Sequence, residues 1–465
     1  MDREAMSTSQ DVLARVEKER QDYLEELKDY LRIPSISTDP AYDADVRRCA
    51  DFVLGKMEDA GLEARLIETE GKPLVYGEWL GAEGKPTILF YGHYDVQPAD
   101  PLELWRNSPF EPTLEEDGKI LVARGATDDK GHSYAHLKAV AAILSERGTL
   151  PINVKFIIEG EEESGGESIE TFVQEDAGEL LACDAVFVSD SAMYAPGQPS
   201  LLYGLKGLAY MEIRCDGPNR DLHSGSFGGA VANPANALST IIASLRDSET
   251  GRILIDGFYD QVRPLEDWER KEFGELPYDE AAYVENLGIT EVFGEEGYST
   301  LERVWGRPTC DVNGIFGGYQ GEGAKTVLPA WAGAKVSMRL VPDQDPKEIE
   351  RLFTEYVQKV APPGVRVTVT AHHGAPPVLL ATEGPIVEAA LAAAEDVWNR
   401  RPVKVREGGS IPIVAIFADV LEVPVMLMGF GLSDDRLHSP NEKFDVDNFY
   451  AGIRIVVRML DRLGA

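Results

Sequence analysis

Three apolar runs constrain this chain more than any other feature of its sequence: "PTILFYG" from Pro86, "INVKFII" from Ile152 and "DAVFVSD" from Asp184. Each is nearly continuous in apolar residues rather than alternating, as expected of strands buried on both faces beneath helices. A helical run, "HSYAHLKAVAAILSERG", separates the first two. Strand alternating with helix predicts an α/β fold with a helix-covered, mainly parallel sheet. The runs share a second property. The first leads into His93 and Asp95 ("GHYDV"), the second into Glu161, Glu162 and Glu163 ("EGEEESGG"), and the third into Asp190 ("VSDS"). Open α/β sheets bind ligands outside the carboxyl ends of their strands, so three independent strands deliver imidazole and carboxylates to one place.

Crowded carboxylates repel, and buried ones cost several kcal/mol unless paired or bound to a cation. The acids therefore mark either a solvated loop or a cation site. The other residues able to complete such a site are few. "RGATDDKG", residues 124–131, offers Asp128 and Asp129 ahead of a helix, and "DDRLHSPNEKF" places His438 in a polar loop. Zinc takes imidazole and carboxylate ligands, and a pair of ions needs one carboxylate to bridge them. With only seven histidines in the chain, each position carries information. His132 and His136 share a helix face at i, i+4 spacing, but without the glutamate of an H-E-x-x-H motif they read as packed side chains. His372 and His373 read as structural or solvated.

A formal net charge of −35 excludes nucleic acid and anionic membrane as partners, since both need basic faces. No apolar run approaches the roughly 20 residues of a membrane span. The polar, acidic start "MDREAMSTSQ" lacks the pattern of a secretory signal, so the expected location is cytoplasmic. Cys49, Cys183, Cys215 and Cys310 lie far apart with no C-x-x-C, which argues for reduced thiols rather than a disulfide framework or a thiolate metal site.

Residues 11–31 place Leu13, Val16, Tyr23, Leu24, Leu27, Tyr30 and Leu31 on one helical stripe that Pro34 stops. From Leu208 the texture changes to alternating strands ("LAYMEIRCDG", "AKVSMRLVP", "VRVTVT") interleaved with helices ("NPANALSTIIASLRD", "DPKEIERLFTEYVQKV"). That order predicts an inserted ferredoxin-like α+β domain. The expected division is a catalytic domain at 1–207 and 384–465 with the insertion at 208–383; residues 251–311 show no periodicity that places them.

"GHYDV", "ARGATDDKG", "EGEEESGG", "VSD", "RDLHSG" and "LHSPNEKF", in that order, resemble the two-zinc metallopeptidases that include aminoacylases, glutamate-releasing carboxypeptidases and cytosolic non-specific dipeptidases or carnosinases. The resemblance covers nearly the whole chain and is closest to the dipeptidase branch, through "TDDKG", "RDLHSG", "MRLVP" and the long insertion. It implies two divalent ions, zinc first with manganese or cobalt as alternatives. Asp128 would bridge them, with His93 and Asp190 on one ion and Glu163 and His438 on the other. It further implies that Glu162 is the general base for a metal-activated water, that Asp95 supports His93, and that the Asp128–Asp129 peptide is cis. His223 would stabilise the oxyanion from a partner subunit, in a homodimer built through the insertion that serves as lid. Arg339, Ser410, Gly409 and Thr326 would hold the substrate. The expected reaction is hydrolysis of small peptides, dipeptides above all. N-acyl-amino-acid deacylation on the same site is the alternative, and a non-catalytic metal-binding protein is disfavoured because Glu162 and all five ligand positions are present.

Overall fold

In the computed structural model, which describes residues 3–178, 180–409 and 411–465, the three apolar runs form the strands Thr87–His93, Asn153–Glu159 and Ala185–Val188. They lie parallel with Thr87–His93 in the middle, where Phe90 pairs with Phe156 on one side and Phe187 on the other. A fourth parallel strand, Val425–Leu427, pairs with Ala185–Val188. On the opposite edge Leu74–Trp79 and Glu63–Ile67 continue the sheet antiparallel. The sheet is thus mixed α/β and parallel at its centre. Phe90, Ile157 and Phe187 are fully buried, as continuous apolar strands require. The helix Lys130–Arg147 is buried along most of its length and ends on Gly148, whose φ of +70° suits a residue without Cβ.

The chain forms two compact units. One runs through Tyr203 and adds Leu380–Val405 and Ile416–Ala465; the other is Gly204–Leu379 with Arg406–Ala415. The second unit carries a four-stranded sheet in the order Asp311–Gly317, Trp331–Leu340, Gly207–Asp216, Arg366–Ala375, with every neighbouring pair antiparallel. The helices Pro234–Ser244 and Pro346–Val360 complete the ferredoxin-like βαββαβ order. Its core follows the alternation read from the sequence. Ala209, Met211, Ile213 and Cys215 point inward against Leu238, Ile241, Phe353 and Val357. Asn233 caps its helix by accepting the Ala235 N–H at 2.9 Å, with Pro234 at the first helical position. The segment without sequence periodicity contains the short helices Asp267–Glu275, Glu280–Leu287 and Thr300–Gly306, and then the edge strand Asp311–Gly317.

One expected element divides. The stripe over 11–31 belongs to two helices, Arg3–Lys18 and Arg20–Leu31, broken at Glu19 with φ −95° and ψ 10°. Glu19 accepts from Arg15 at 2.6 Å and from the Tyr23 hydroxyl at 2.9 Å, while the Arg20 carbonyl beyond the break accepts the Tyr450 hydroxyl. The stripe is buried apart from Leu13, which is half-buried beside fully buried Val12. Among the described residues no helix is long and apolar enough to cross a membrane.

Ile213 is fully buried in the core of the second unit. Ile213→Ala should destabilise that unit by about 2–5 kcal/mol through lost burial and the cavity left behind, measured as a shift in the denaturant midpoint.

Candidate active site

His93 is the last residue of the central strand and is fully buried. Its Nδ1 lies 3.1 Å from the Asp95 carbonyl oxygen and 3.4 Å from the Asp95 carboxylate. Asp95 also accepts the Glu163 N–H at 3.1 Å, so one side chain ties the ends of two parallel strands together. With Nδ1 engaged, Nε2 faces forward, 3.1 Å from Asp128 Oδ1 and 4.0 Å from Asp190 Oδ2. Asp128 presents its other oxygen, Oδ2, to His438 Nε2 at 2.9 Å, and the same nitrogen lies 3.4 Å from Glu163 Oε2. The Asp128–Asp129 peptide is cis.

Two three-residue groups result: His93, Asp128 and Asp190, and Asp128, Glu163 and His438. Within each, the candidate donor atoms lie within 4.8 Å of one another, and Asp128 is common to both. These are the five positions expected as ligands, four brought together from strand or helix ends and His438 from the loop ahead of the strand Lys443–Asp445. Glu162 lies beside them and belongs to neither group. Burial pushes its carboxyl above the ordinary value, with the charge of Asp128 adding to the effect and His93 opposing it. Burial, and then the charge of Asp128, push Glu163 and Asp190 up strongly as well. Against burial, the hydrogen bonds of His438 and His93 hold Asp128 below the usual carboxylate range. Asp95 Oδ1 and Asp129 Oδ1 are buried without hydrogen-bond partners among the described residues. A group of imidazoles and mutually repelling carboxylates, buried at His93 and Asp128 and open to solvent at His438, is a donor set suited to divalent cations, and imidazole with carboxylate suits zinc.

A third group, Asp129, His132 and Asp190, is equally close-set, but its hydrogen bonds give it another character. His132 Nε2 accepts the Phe430 N–H at 3.2 Å, so the ring proton sits on Nδ1, which faces Asp129 Oδ1 at 3.3 Å. Asp129 in turn accepts the His93 N–H at 3.1 Å. His136 Nε2 donates to Ser189 Oγ at 2.7 Å, and that hydroxyl donates to the Met428 carbonyl at 2.9 Å. Burial lowers His132 to about 4 and His136 to about 3, so both rings are neutral. They pack among Phe90, Phe187, Phe430 and Phe444 as read from the sequence.

The remaining expected site residues lie in the second unit, except Ser410, which is outside the described residues. His223 pairs with Val327 in a short antiparallel ladder, and the Ser224 N–H donates to the Thr326 carbonyl at 3.1 Å, so His223 and Thr326 are neighbours. The exposed His223 ring accepts the Gly225 N–H on Nδ1 at 3.1 Å, which puts its proton on Nε2. Arg339 lies on the strand Trp331–Leu340. Sequence reasoning passed over its neighbour Lys206, a buried ammonium that burial and then Arg339 lower to about 7. Its backbone N–H donates to the Gly409 carbonyl at 3.0 Å. The available signal was a lysine inside the otherwise apolar "LLYGLKGLAY". Gln97 was missed too; its amide donates to Glu163 Oε2 at 2.7 Å.

The profile of peptidase family M20/M25/M40 matches residues 89–462. The chain belongs to this family. A Cys-Gly metallodipeptidase of Schizosaccharomyces pombe is 34% identical over 464 residues, covering 97% of each chain. The Beta-Ala-His dipeptidase of Rattus norvegicus is 30% identical over 457 residues, covering 95% of this chain and 92% of its own. Among solved structures, an M20 family metallo-carboxypeptidase of Sulfolobus solfataricus superposes with a TM-score of 0.84 at 34% identity, over 95% of this chain and 99% of its own. The M20 membership fits the fold and the cluster of metal-type donors.

Metal-stripped protein should take up two equivalents of zinc, and Asp128→Ala should abolish tight binding of both, whereas Asp190→Ala or Glu163→Ala should weaken one site more than the other. Calorimetric titration with zinc checks this.

Proposed function

We propose that this M20 peptidase is a metal-dependent dipeptidase that acts with two divalent ions, zinc first and manganese or cobalt as substitutes. The observation that carries the reading is Asp128, whose two carboxylate oxygens face different histidines, His93 and His438. Relatives across the full length of the chain are named for dipeptidase activity, which favours this reading over N-acyl-amino-acid deacylation. His93 and Asp190 would hold one ion, Glu163 and His438 the other, with Asp128 between them. When bound, the ions polarise the scissile carbonyl and bring the pKa of a water from 15.7 to about 7.

The protein's own residues supply the rest. Glu162, half-buried beside both metal groups, would take the proton of the attacking water and return it to the departing amine. Asp95 would fix the His93 ring through Nδ1 so that Nε2 stays directed at the metal. His223 carries its proton on Nε2, as a donor to a developing oxyanion must, and would act from the partner subunit of a homodimer. The lid and dimerisation domain would be 208–383. Its edge strand Asp311–Gly317 exposes Val312 and Ile315, the kind of open edge that pairing covers. Arg339 and Lys206, with Gly409, Ser410 and Thr326, would bind the substrate's terminal carboxylate; a guanidinium fork suits that bidentate task. The four cysteines are unpaired, as suits a cytoplasmic enzyme.

Chelation should abolish hydrolysis of a dipeptide such as Cys-Gly, and zinc or manganese should restore it. Activity that survives chelation contradicts the proposal. Glu162→Gln should keep both ions yet lower kcat by about 10²–10⁴, and His223→Ala should cost about 10²–10³ with metal content unchanged. Lys206, facing Arg339, Arg307 and Asp311, is charged below about 7 and loses its charge as pH rises. KM for a dipeptide should therefore climb between pH 6.5 and 8.5 in the native enzyme, and stay high and flat in Lys206→Met.

A further inference from the structure

The two-ion reading requires that Asp128 aim its oxygens in two directions. A carboxylate on a loop can do so only if the loop's backbone is fixed. The sequence offers no obvious brace, because residues 124–129 lie between the strand Ile120–Val122 and the helix Lys130–Arg147.

The brace comes from the far end of the chain. Glu442 is fully buried, and its carboxylate accepts four hydrogen bonds from this one loop. Oε2 takes the Arg124 guanidinium at 2.7 Å and the Gly125 N–H at 2.9 Å. Oε1 takes the Thr127 N–H at 3.0 Å and the Asp128 N–H at 3.2 Å. Arg124, itself buried, matches the charge and donates its other end to the Pro98 carbonyl at 3.1 Å. The Glu442 carboxylate is fully engaged by these four donors, and losing one partner of a buried ion pair is far more disruptive than the pair is stabilising.

Glu442 also stands four residues after His438. The strand Lys443–Asp445 pairs with Ile120–Val122, and the Ala123 N–H donates to the Glu442 carbonyl at 3.1 Å. Thr127 Oγ1 donates to the Lys443 carbonyl at 2.6 Å and lies 3.1 Å from Asp435 Oδ2. The loop carrying His438 is thus pinned at both ends to the loop carrying Asp128. Between those pins Arg436, His438 and Asn441 hold φ of +59°, +58° and +63°, backbone that needs such support.

We propose that Glu442 is a positioning residue that sets the spacing between Asp128 and His438, and so makes Asp128 a shared ligand rather than a ligand of one ion. It touches neither ion nor substrate and acts through the Asp128 backbone. Glutamine in its place turns one acceptor oxygen into an NH₂ group facing backbone N–H donors. Aspartate keeps the charge but cannot reach all four donors. The proposal rests on the two-ion reading above.

The test is zinc titration of the metal-stripped full chain as wild type, Glu442→Gln and Glu442→Asp, with the core variant Val456→Ala as a stability control and the thermal midpoint of each metal-free protein measured in parallel. Both Glu442 variants should remain folded and bind zinc at least tenfold more weakly. Val456→Ala, buried away from the loop, should lower the thermal midpoint and leave zinc affinity unchanged. Wild-type affinity in a folded Glu442 variant, or an equal loss in Val456→Ala, overturns the brace. Wild-type protein that takes up no zinc overturns the two-ion reading itself and the brace with it.

Discussion

The structure turns on the burial of several carboxylates around one aspartate. Asp128, Asp190, Glu162 and Glu163 sit close enough that burial and mutual repulsion raise all but Asp128, which is held down by two histidines. Such an arrangement is unfavourable by several kcal/mol per charge unless positive charge is supplied. Divalent ions would supply it, with His93 and His438 as neutral imidazole ligands. The unfavourable cluster and the functional site are therefore the same object, as is common where strongly perturbed ionisable groups converge.

The parallel sheet explains why these acids can meet at all. Parallel strands bring their carboxyl ends to one edge, so side chains far apart in sequence converge without long loops. Asp95 then links two of those ends, touching His93 and the Glu163 backbone. Behind them a neutral layer of His132, His136 and phenylalanine rings excludes water, and Asp129 reaches back to the His93 N–H. Precision at the front depends on this supporting layer, since a ligand set misplaced by about 1 Å loses much of its catalytic value.

Much of this was legible in the sequence. The three strands and the residues following them could be read because continuous apolar runs and turn acids are local signals, as was the alternation of Gly207–Asp216. Val425–Leu427 was not, because a three-residue strand within "VPVMLMG" has no periodicity to distinguish it. The break at Glu19 was not, because the apolar stripe runs unbroken through it. Gln97, Lys206 and Glu442 escaped for another reason. Each is defined by what it touches in the fold, and a buried polar side chain looks like a surface one until its partners are known. The strand and helix order of the second unit was readable from its alternating strands and from Asn233 opening a helix, while its edge strand Asp311–Gly317 lay in a stretch with no clear period.

The most direct test of the shared carboxylate is the anomalous-scattering map of a crystal of the zinc-loaded protein. Two zinc peaks about 3.5–4 Å apart, with one Asp128 oxygen on each and with His93 and His438 on different ions, are what the account predicts. A single peak, or an Asp128 bound through both oxygens to one ion, would contradict it.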